Sequence, residues 1–192
     1  RVFLPEEQRR IYKDSDPDCI LWVLWAAKEA AYKILSKSHP AIHSGPLKYR
    51  VHLEETVLFP PRTPGFRSGH FSCQVSTPAG SIVTSALTGA DYVHAFGSQG
   101  NQSGEGAMHL KLFRLDLPCF QGRPESDVAR KVLCRYLGRF WQIASGRIEV
   151  RRERNIRGLG PPLVYIGGEK VSADISLSHH GRYGAFALFT DA

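Results

Sequence analysis

Long apolar runs are missing from this 192-residue chain. No stretch approaches the roughly 20 consecutive apolar residues that a membrane-spanning helix needs, and no signal-peptide pattern is present. Cysteine is scarce, and the four cysteines lack the C-x-x-C spacing of zinc and redox motifs. We therefore expect a cytoplasmic protein with no membrane partner and with reduced, half-buried thiols. The cysteines are Cys19, Cys73, Cys119 and Cys134.

Acidic residues are the minority among the charges. The chain has 25 lysines and arginines against 18 aspartates and glutamates, so its net charge is +7 and its expected partners are polyanions or acidic proteins. Arginines crowd only residues 147–157, where a solvated face and a phosphate-contacting surface are equally good interpretations. No nucleic-acid-binding motif accompanies them, so a nucleic-acid partner is not expected.

The first quarter of the chain contains a pronounced helical pattern. Asp16 followed by Pro17 is a strong start signal, and Pro40 is a stop signal, so we predict a helix from Pro17 to about Lys37. This helix is apolar nearly all round, which predicts that it is buried. Charges within it therefore need partners inside the protein or in a cleft.

Two charged residues of this helix share one face. Glu29 and Lys33 are four residues apart and lie on the same side as Trp22 and Trp25. A Glu to Lys pair at this spacing is common on surfaces and stabilises a helix by about 0.2–0.5 kcal/mol. The two tryptophans instead favour a covered face. In that case Glu29 can hold Mg²⁺, while Lys28 and Lys33 neutralise the phosphates of a ligand.

Alternating patterns predict strands in the rest of the chain, which with 42% hydrophobic residues can bury one core or two small ones. The glycine-rich segment 97–106 has the composition of a flexible connector, so we predict two domains, 1–100 and 107–192. Predicted strands of the first half are Leu47–Leu53, Phe71–Val75, Ser81–Leu87 and Tyr92–Phe96. Predicted elements of the second half are a helix at Ala129–Phe140, strands at Arg147–Arg151 and Leu163–Ile166, and a hairpin from Ser176 to Phe189.

The two halves end in similar segments. Residues 85–95 match residues 176–186 at a constant offset, which suggests a duplicated lobe. We therefore predict an α+β fold with two similar helix-plus-antiparallel-sheet lobes arranged as a pseudo-dimer. The expected ligand site is the cleft between the lobes.

A second group of candidate residues lies near the C-terminus. Ser178, His179 and His180 are predicted to sit in a turn between two strands. One interpretation is a solvent-facing turn, and the other is a phosphate site, because hydroxyl, backbone N–H and imidazole groups offer many donors. No acid has a triad-like relation to Ser178, so serine nucleophile chemistry has little support. The remaining histidines, including His94, are interpreted as structural or surface residues.

Three segments together resemble the 4'-phosphopantetheinyl transferase superfamily. They are residues 1–7 (RVFLPEE), the W-x-x-K-E-A-x-x-K pattern of residues 25–33, and residues 175–179 (ISLSH) with an alanine-rich closing strand. The order of the motifs resembles the holo-acyl-carrier-protein synthase type. The length and the duplicated lobes resemble the two-lobed members of the superfamily.

The resemblance implies an Mg²⁺-dependent transfer of the 4'-phosphopantetheine arm from coenzyme A to a serine of a carrier protein, with release of 3',5'-ADP. The carrier would be an acyl or peptidyl carrier protein of fatty acid or polyketide biosynthesis. Such carriers are acidic, so a chain of charge +7 would be steered toward them.

The resemblance also implies roles for single residues. Glu29 would bind the metal and activate the acceptor serine, and Lys33 would belong to the same catalytic set. Lys28 and Lys33 would contact coenzyme A phosphates. Ser178 and His179 would hold the nucleotide end. His180, next in the chain, is a further candidate for binding coenzyme A.

One part of the superfamily's pattern is missing. The superfamily places a G-x-D strand, whose aspartate is the principal metal ligand, before the segment at which this chain starts. Either an upstream piece supplies that ligand, or the protein lacks it and is impaired. Because the chain begins with Arg1 and not with Met, we expect the former. The alternative function is that of a non-catalytic relative that binds coenzyme A or a nucleotide as a regulatory or partner-binding module.

Overall fold

The computed structural model describes residues 2–39, 41–42, 45–59, 68–98, 107–155 and 158–190. The chain divides into two compact units, Arg1–Asn101 and Gln102–Ala192. Beyond Ser98, the connector predicted at 97–106 lies outside the described residues. No helix in the described part of the chain is long and apolar enough to cross a membrane.

In its described residues, the first unit is a four-stranded antiparallel sheet with two helices, and its strand order is β1-β2-β3-β4. Its elements are α1 (Pro5–Lys13), α2 (Pro17–Ser38), a 3-10 turn (Pro46–Lys48), β1 (Arg50–Phe59), β2 (Ser68–Thr77), β3 (Gly80–Gly89) and β4 (Tyr92–Gly97). The prediction that the first strand begins at Leu47 is wrong, because Leu47 lies inside the 3-10 turn. The predicted loop around Pro60–Gly65 lies outside the described residues.

Helix α2 has the ends that its sequence predicts. The Asp16 carboxylate accepts a hydrogen bond from the backbone N–H of Cys19 at 3.1 Å, and the helix ends at Ser38, just before Pro40. One long side of α2 is buried against the sheet, and α2 packs on β3 and β4. Val23, Ala27 and Leu35 on this side share a core with sheet residues. This packing fixes which side of α2 stays accessible.

Within residues 107–155 and 158–190, the second unit contains one long helix and two three-stranded antiparallel sheets, ordered β5-β10-β9 and β6-β7-β8. Its elements are β5 (Ala107–Arg114), α3 (Glu125–Phe140), β6 (Ile148–Asn155), β7 (Gly158–Ile166), β8 (Glu169–Val171), β9 (Asp174–His180) and β10 (Tyr183–Thr190). Helix α3 packs against β6, β9 and β10. Its start at Glu125 precedes the predicted start at Ala129, since the polar first turn carries no apolar periodicity.

The closing hairpins of the two units have the same strand ends and register. Strand β3 stops at Gly89 and β4 begins at Tyr92, as β9 stops at His180 and β10 begins at Tyr183. Ser85 pairs with Phe96, and Ser176 pairs with Ala187, so the cross-strand pairs keep the offset seen in the sequence. Each hairpin is also covered by the long helix of its own unit. The repeated sequence segment therefore forms a similar hairpin in each unit, whereas the sheets around it differ in number and in strand count.

Gly97 brings the end of β4 close to α2. A Cβ atom there would lie 2.8 Å from the Val83 carbonyl oxygen and 3.1 Å from Ile34 Cδ1. Gly97→Ala is therefore expected to lower the free energy of unfolding by about 1–3 kcal/mol, because the backbone oxygen cannot move aside. Urea unfolding measures this loss. The matched control is Gly146→Ala, whose Cβ meets nothing within 4 Å; an equal loss in both variants would contradict the close approach.

Candidate functional site

The accessible side of α2 carries two of the predicted site residues. Glu29 is half-buried and Lys33 is exposed, one turn apart on the side that is not packed into the core. The prediction that the side carrying the two tryptophans is covered is wrong at Trp22, which is 51% exposed. The reason is that the sheet already fills the opposite side of α2, about half a turn away. Glu29 and Lys33 therefore lie on the side of α2 that faces away from the sheet.

A buried tyrosine lies close to Glu29. Tyr49 is 1% exposed, and its ring meets that of Tyr32 edge to face with centroids 6.4 Å apart. Burial raises the pKa of Tyr49, and the nearby Tyr32 and Glu29 raise it further. The phenol is therefore neutral at physiological pH. Tyr49 is thus an uncharged group within range of the Glu29 charge.

Lys28 has a different environment from its neighbour Glu29. Its side chain is 2% exposed, and its ammonium group donates to the Glu7 carboxylate at 2.7 Å. It also donates to the backbone oxygens of Val2 at 3.2 Å and Pro46 at 3.0 Å. An ammonium group has three donors, and all three have acceptors here. A direct contact between Lys28 and a phosphate would require the loss of one of these bonds.

Glu7 is the acidic partner of Lys28 in this buried ion pair. The sequence did not single it out as a functional candidate. Its side chain is 1% exposed, and besides Lys28 it accepts from the backbone N–H groups of Leu4 at 2.8 Å and Val51 at 2.9 Å. The sequence contains a pattern that indicates a structural role for Glu7. Pro5 followed by Glu7 at the third helical position is typical of a helix N-terminus whose glutamate turns back to the capping residue.

His94 was also interpreted as a structural or surface residue. Its ring stacks on Phe96 with centroids 6.0 Å apart, and its Nε2 atom is buried without a hydrogen-bond partner among the described residues. Burial lowers the pKa of His94, and the positive charge of Lys33 lowers it further. Both effects disfavour the charged imidazolium. His94 is thus an uncharged neighbour of Lys33.

This pKa shift makes stability depend on pH. Because the folded pKa of His94 lies below the ordinary value of 6.5, its contribution to stability is present above that pH and is lost as the pH falls. The wild-type protein should therefore lose more stability between about pH 7.5 and 5 than His94→Phe, which keeps the ring. Urea unfolding at both pH values measures this. His52→Phe, at an exposed site, should retain the wild-type loss; an unchanged loss in His94→Phe would contradict the assignment.

The candidate residues of the second unit lie in strand β9, so the prediction of a turn at Ser178–His180 is wrong; the two-residue turn begins at Gly181. Alternate residues of a strand point to opposite faces of the sheet. Ser178 and His180 therefore share one face, and His179 lies on the other. His179 Nδ1 is 3.0 Å from the carboxylate of Glu125 in α3.

The described residues offer limited means of holding a metal. They contain no group of three or more His, Cys, Asp or Glu side chains that could bind an ion. Glu29 supplies one accessible carboxylate. Mg²⁺ commonly keeps several waters and is bound by one or two carboxylates together with substrate phosphates. Glu29 therefore fits Mg²⁺ whose other ligands are water, phosphate oxygen or residues outside the described ranges.

A comparison with models of protein families decides which family this chain belongs to. The family model of the 4'-phosphopantetheinyl transferase superfamily matches residues 1–96, half of the chain. The chain belongs to this superfamily. The matched residues include Glu7, Lys28, Glu29 and Lys33 but stop before the second unit. No curated protein and no solved structure matches the chain.

Membership of the superfamily agrees with the fold. Helices and antiparallel sheets in an α+β arrangement are what the phosphopantetheinyl transferase fold requires, and both units have them. The general activity that this membership indicates is that of a phosphopantetheinyl transferase. Which donor substrate, metal ion and acceptor the protein uses depends on the residues of the site.

Proposed function

We propose that this protein transfers the 4'-phosphopantetheine arm of coenzyme A to a serine hydroxyl of an acyl or peptidyl carrier protein. The serine oxygen forms a bond to the phosphorus that carries the pantetheine arm, and the bond between that phosphorus and the bridging oxygen breaks. The products are the modified carrier and 3',5'-ADP, and the hydroxyl proton is released. The subtype we propose is that of a holo-acyl-carrier-protein synthase.

The observation that carries this proposal is the position of Glu29. It lies within the residues that match the superfamily and on the one long side of α2 that the core does not use. Lys33 lies one turn further along the same side. A carboxylate beside an ammonium group is suited to a metal ion and phosphates.

The side chains have separate tasks in this proposal. Glu29 binds Mg²⁺ and accepts the proton of the acceptor serine, and Lys33 binds a coenzyme A phosphate. Ser178 and His180 donate to the nucleotide end. Bound Mg²⁺ supplies positive charge where negative charge develops on the phosphates. The net charge of +7 favours encounter with an acidic carrier.

The test is incubation of the full protein with coenzyme A, Mg²⁺ and several apo carrier proteins, followed by mass spectrometry of each carrier. We expect at least one carrier to gain the phosphopantetheine mass. Absence of modification on every carrier would overturn the enzyme proposal. Coenzyme A binding without transfer would support the non-catalytic relative instead.

Residues on the two faces of β9 are predicted to differ in their effect on the KM for coenzyme A. Ser178→Ala and His180→Ala should each raise the KM for coenzyme A about tenfold, the loss expected for one hydrogen bond to a charged phosphate. His179→Ala is the matched control and should change KM by less than about twofold, because an exposed His179–Glu125 pair contributes little. Steady-state kinetics measure all three variants. A larger effect for His179 than for Ser178 would contradict the assignment of faces.

A further inference from the structure

A buried ion-pair cluster lies one residue away from the proposed metal ligand. We define the Glu7–Lys28 cluster as these two side chains and the four backbone groups they bind, the oxygens of Val2 and Pro46 and the N–H groups of Leu4 and Val51. The cluster joins the N-terminal segment, α1, α2, the 3-10 turn and β1 of the first unit. These five segments are therefore attached to one another through the cluster.

The cluster constrains α2 at the position that matters for the site. Consecutive Cα atoms are about 3.8 Å apart, so Lys28 carries the constraint to Glu29 directly. Sliding or rotating α2 by one residue would withdraw the Lys28 ammonium group from all three acceptors at once. The apolar contacts of α2 in the same core also resist such a movement, but they contain no directional bonds. The cluster thus adds directional constraints on α2 at the residue next to Glu29.

Stability alone is a poor explanation for this cluster. Burying two charges costs much of what their attraction returns, and apolar pairs of similar volume often stabilise a protein as well or better. Lys28 also has no donor left for a ligand in this arrangement. A role in orienting α2 explains both the burial of Lys28 and its position next to Glu29.

We propose that Glu7 and Lys28 are positioning residues, which orient Glu29 relative to the backbone of residues 2–4 and so set the affinity for the metal. This inference rests on the proposed function. Residues that position a metal ligand typically change metal affinity or activity by about 10–100-fold when they are replaced.

The test uses two double variants of the full chain. Glu7→Gln/Lys28→Met removes both buried charges and leaves an amide oxygen to accept from the backbone. The matched control is Glu6→Gln/Arg50→Met, which removes the exposed ion pair between α1 and β1, 3.0 Å long. Folding of each variant is confirmed by circular dichroism, and the exchange rates of the Leu4 and Val51 amides report the cluster directly.

The measurements are Mn²⁺ binding by electron paramagnetic resonance with coenzyme A present, the Kd of coenzyme A by calorimetry, and kcat for transfer. In the Glu7/Lys28 variant we expect Mn²⁺ binding at least about tenfold weaker and kcat about 10–100-fold lower. We expect a coenzyme A Kd within about threefold of the wild-type value, because only the metal ligand is misplaced. The control variant should match the wild type in all three measurements.

Other outcomes would overturn this inference in distinguishable ways. Wild-type Mn²⁺ binding and kcat in a folded Glu7/Lys28 variant would show that the cluster is only structural. A loss of coenzyme A affinity with unchanged Mn²⁺ binding would show that Lys28 contacts a phosphate directly. A wild-type chain that neither binds Mn²⁺ nor transfers the arm would overturn the proposed function and this inference together.

Discussion

Glu29→Gln is expected to lower kcat for transfer by about a thousandfold, since losing a metal-binding carboxylate removes several kcal/mol of transition-state stabilisation and each 1.36 kcal/mol is tenfold in rate. The amide keeps the shape of the side chain but has no charge for Mg²⁺ and cannot accept the serine proton. Because Glu29 is half-buried and outside the core of α2, the variant should fold normally. Single-turnover kinetics with an apo carrier measure the loss.

The control for this prediction is Glu54→Gln, the same change at an exposed position of β1. It should keep the wild-type rate. A Glu29→Gln variant with the wild-type kcat would remove Glu29 from the mechanism. Equal losses in both variants would show that the rate responds to total charge and not to the site.

Lys28→Met is expected to lower the free energy of unfolding by about 3–5 kcal/mol, the usual cost of leaving a buried charge without its partner. The Glu7 carboxylate, 1% exposed, would keep its two backbone donors and lose the ammonium group. The oxygens of Val2 and Pro46 would also lose their donor. Urea unfolding of the single variant measures the loss.

Two comparisons sharpen this prediction. Lys37→Met, at an exposed position of the same helix, should change stability by no more than about 0.5 kcal/mol. Adding Glu7→Gln to Lys28→Met should recover part of the loss, because no buried charge is then left unpaired. If Lys28→Met were as stable as Lys37→Met, the ion pair would not be buried in solution.

The parts of the site that the sequence predicts well depend on local chemistry. Asp16, Pro17 and Pro40 determine the ends of α2 through capping and the missing proline N–H, and these effects act within a few residues. The placement of Glu29 and Lys33 on one side of α2 follows from 3.6 residues per turn. The repeated hairpin was visible because its offset is constant along the chain.

The parts that could not be predicted depend on contacts between distant residues. Lys28 and Glu7 are 21 positions apart, and no local pattern shows that they meet. The separation of Ser178 from His179 follows from their lying in a strand, whereas the paired histidines before Gly181 resemble a turn. Trp22 is exposed because aliphatic and small residues fill the side of α2 that faces the sheet.

The most direct test of the central claim measures both products of one reaction. Wild-type protein is incubated with coenzyme A, Mg²⁺ and an apo carrier, and the modified carrier and 3',5'-ADP are quantified from the same sample. We predict equal amounts of the two products and loss of both when EDTA removes the metal. Coenzyme A that binds while neither product forms, or modification that is unchanged by EDTA, would contradict the account.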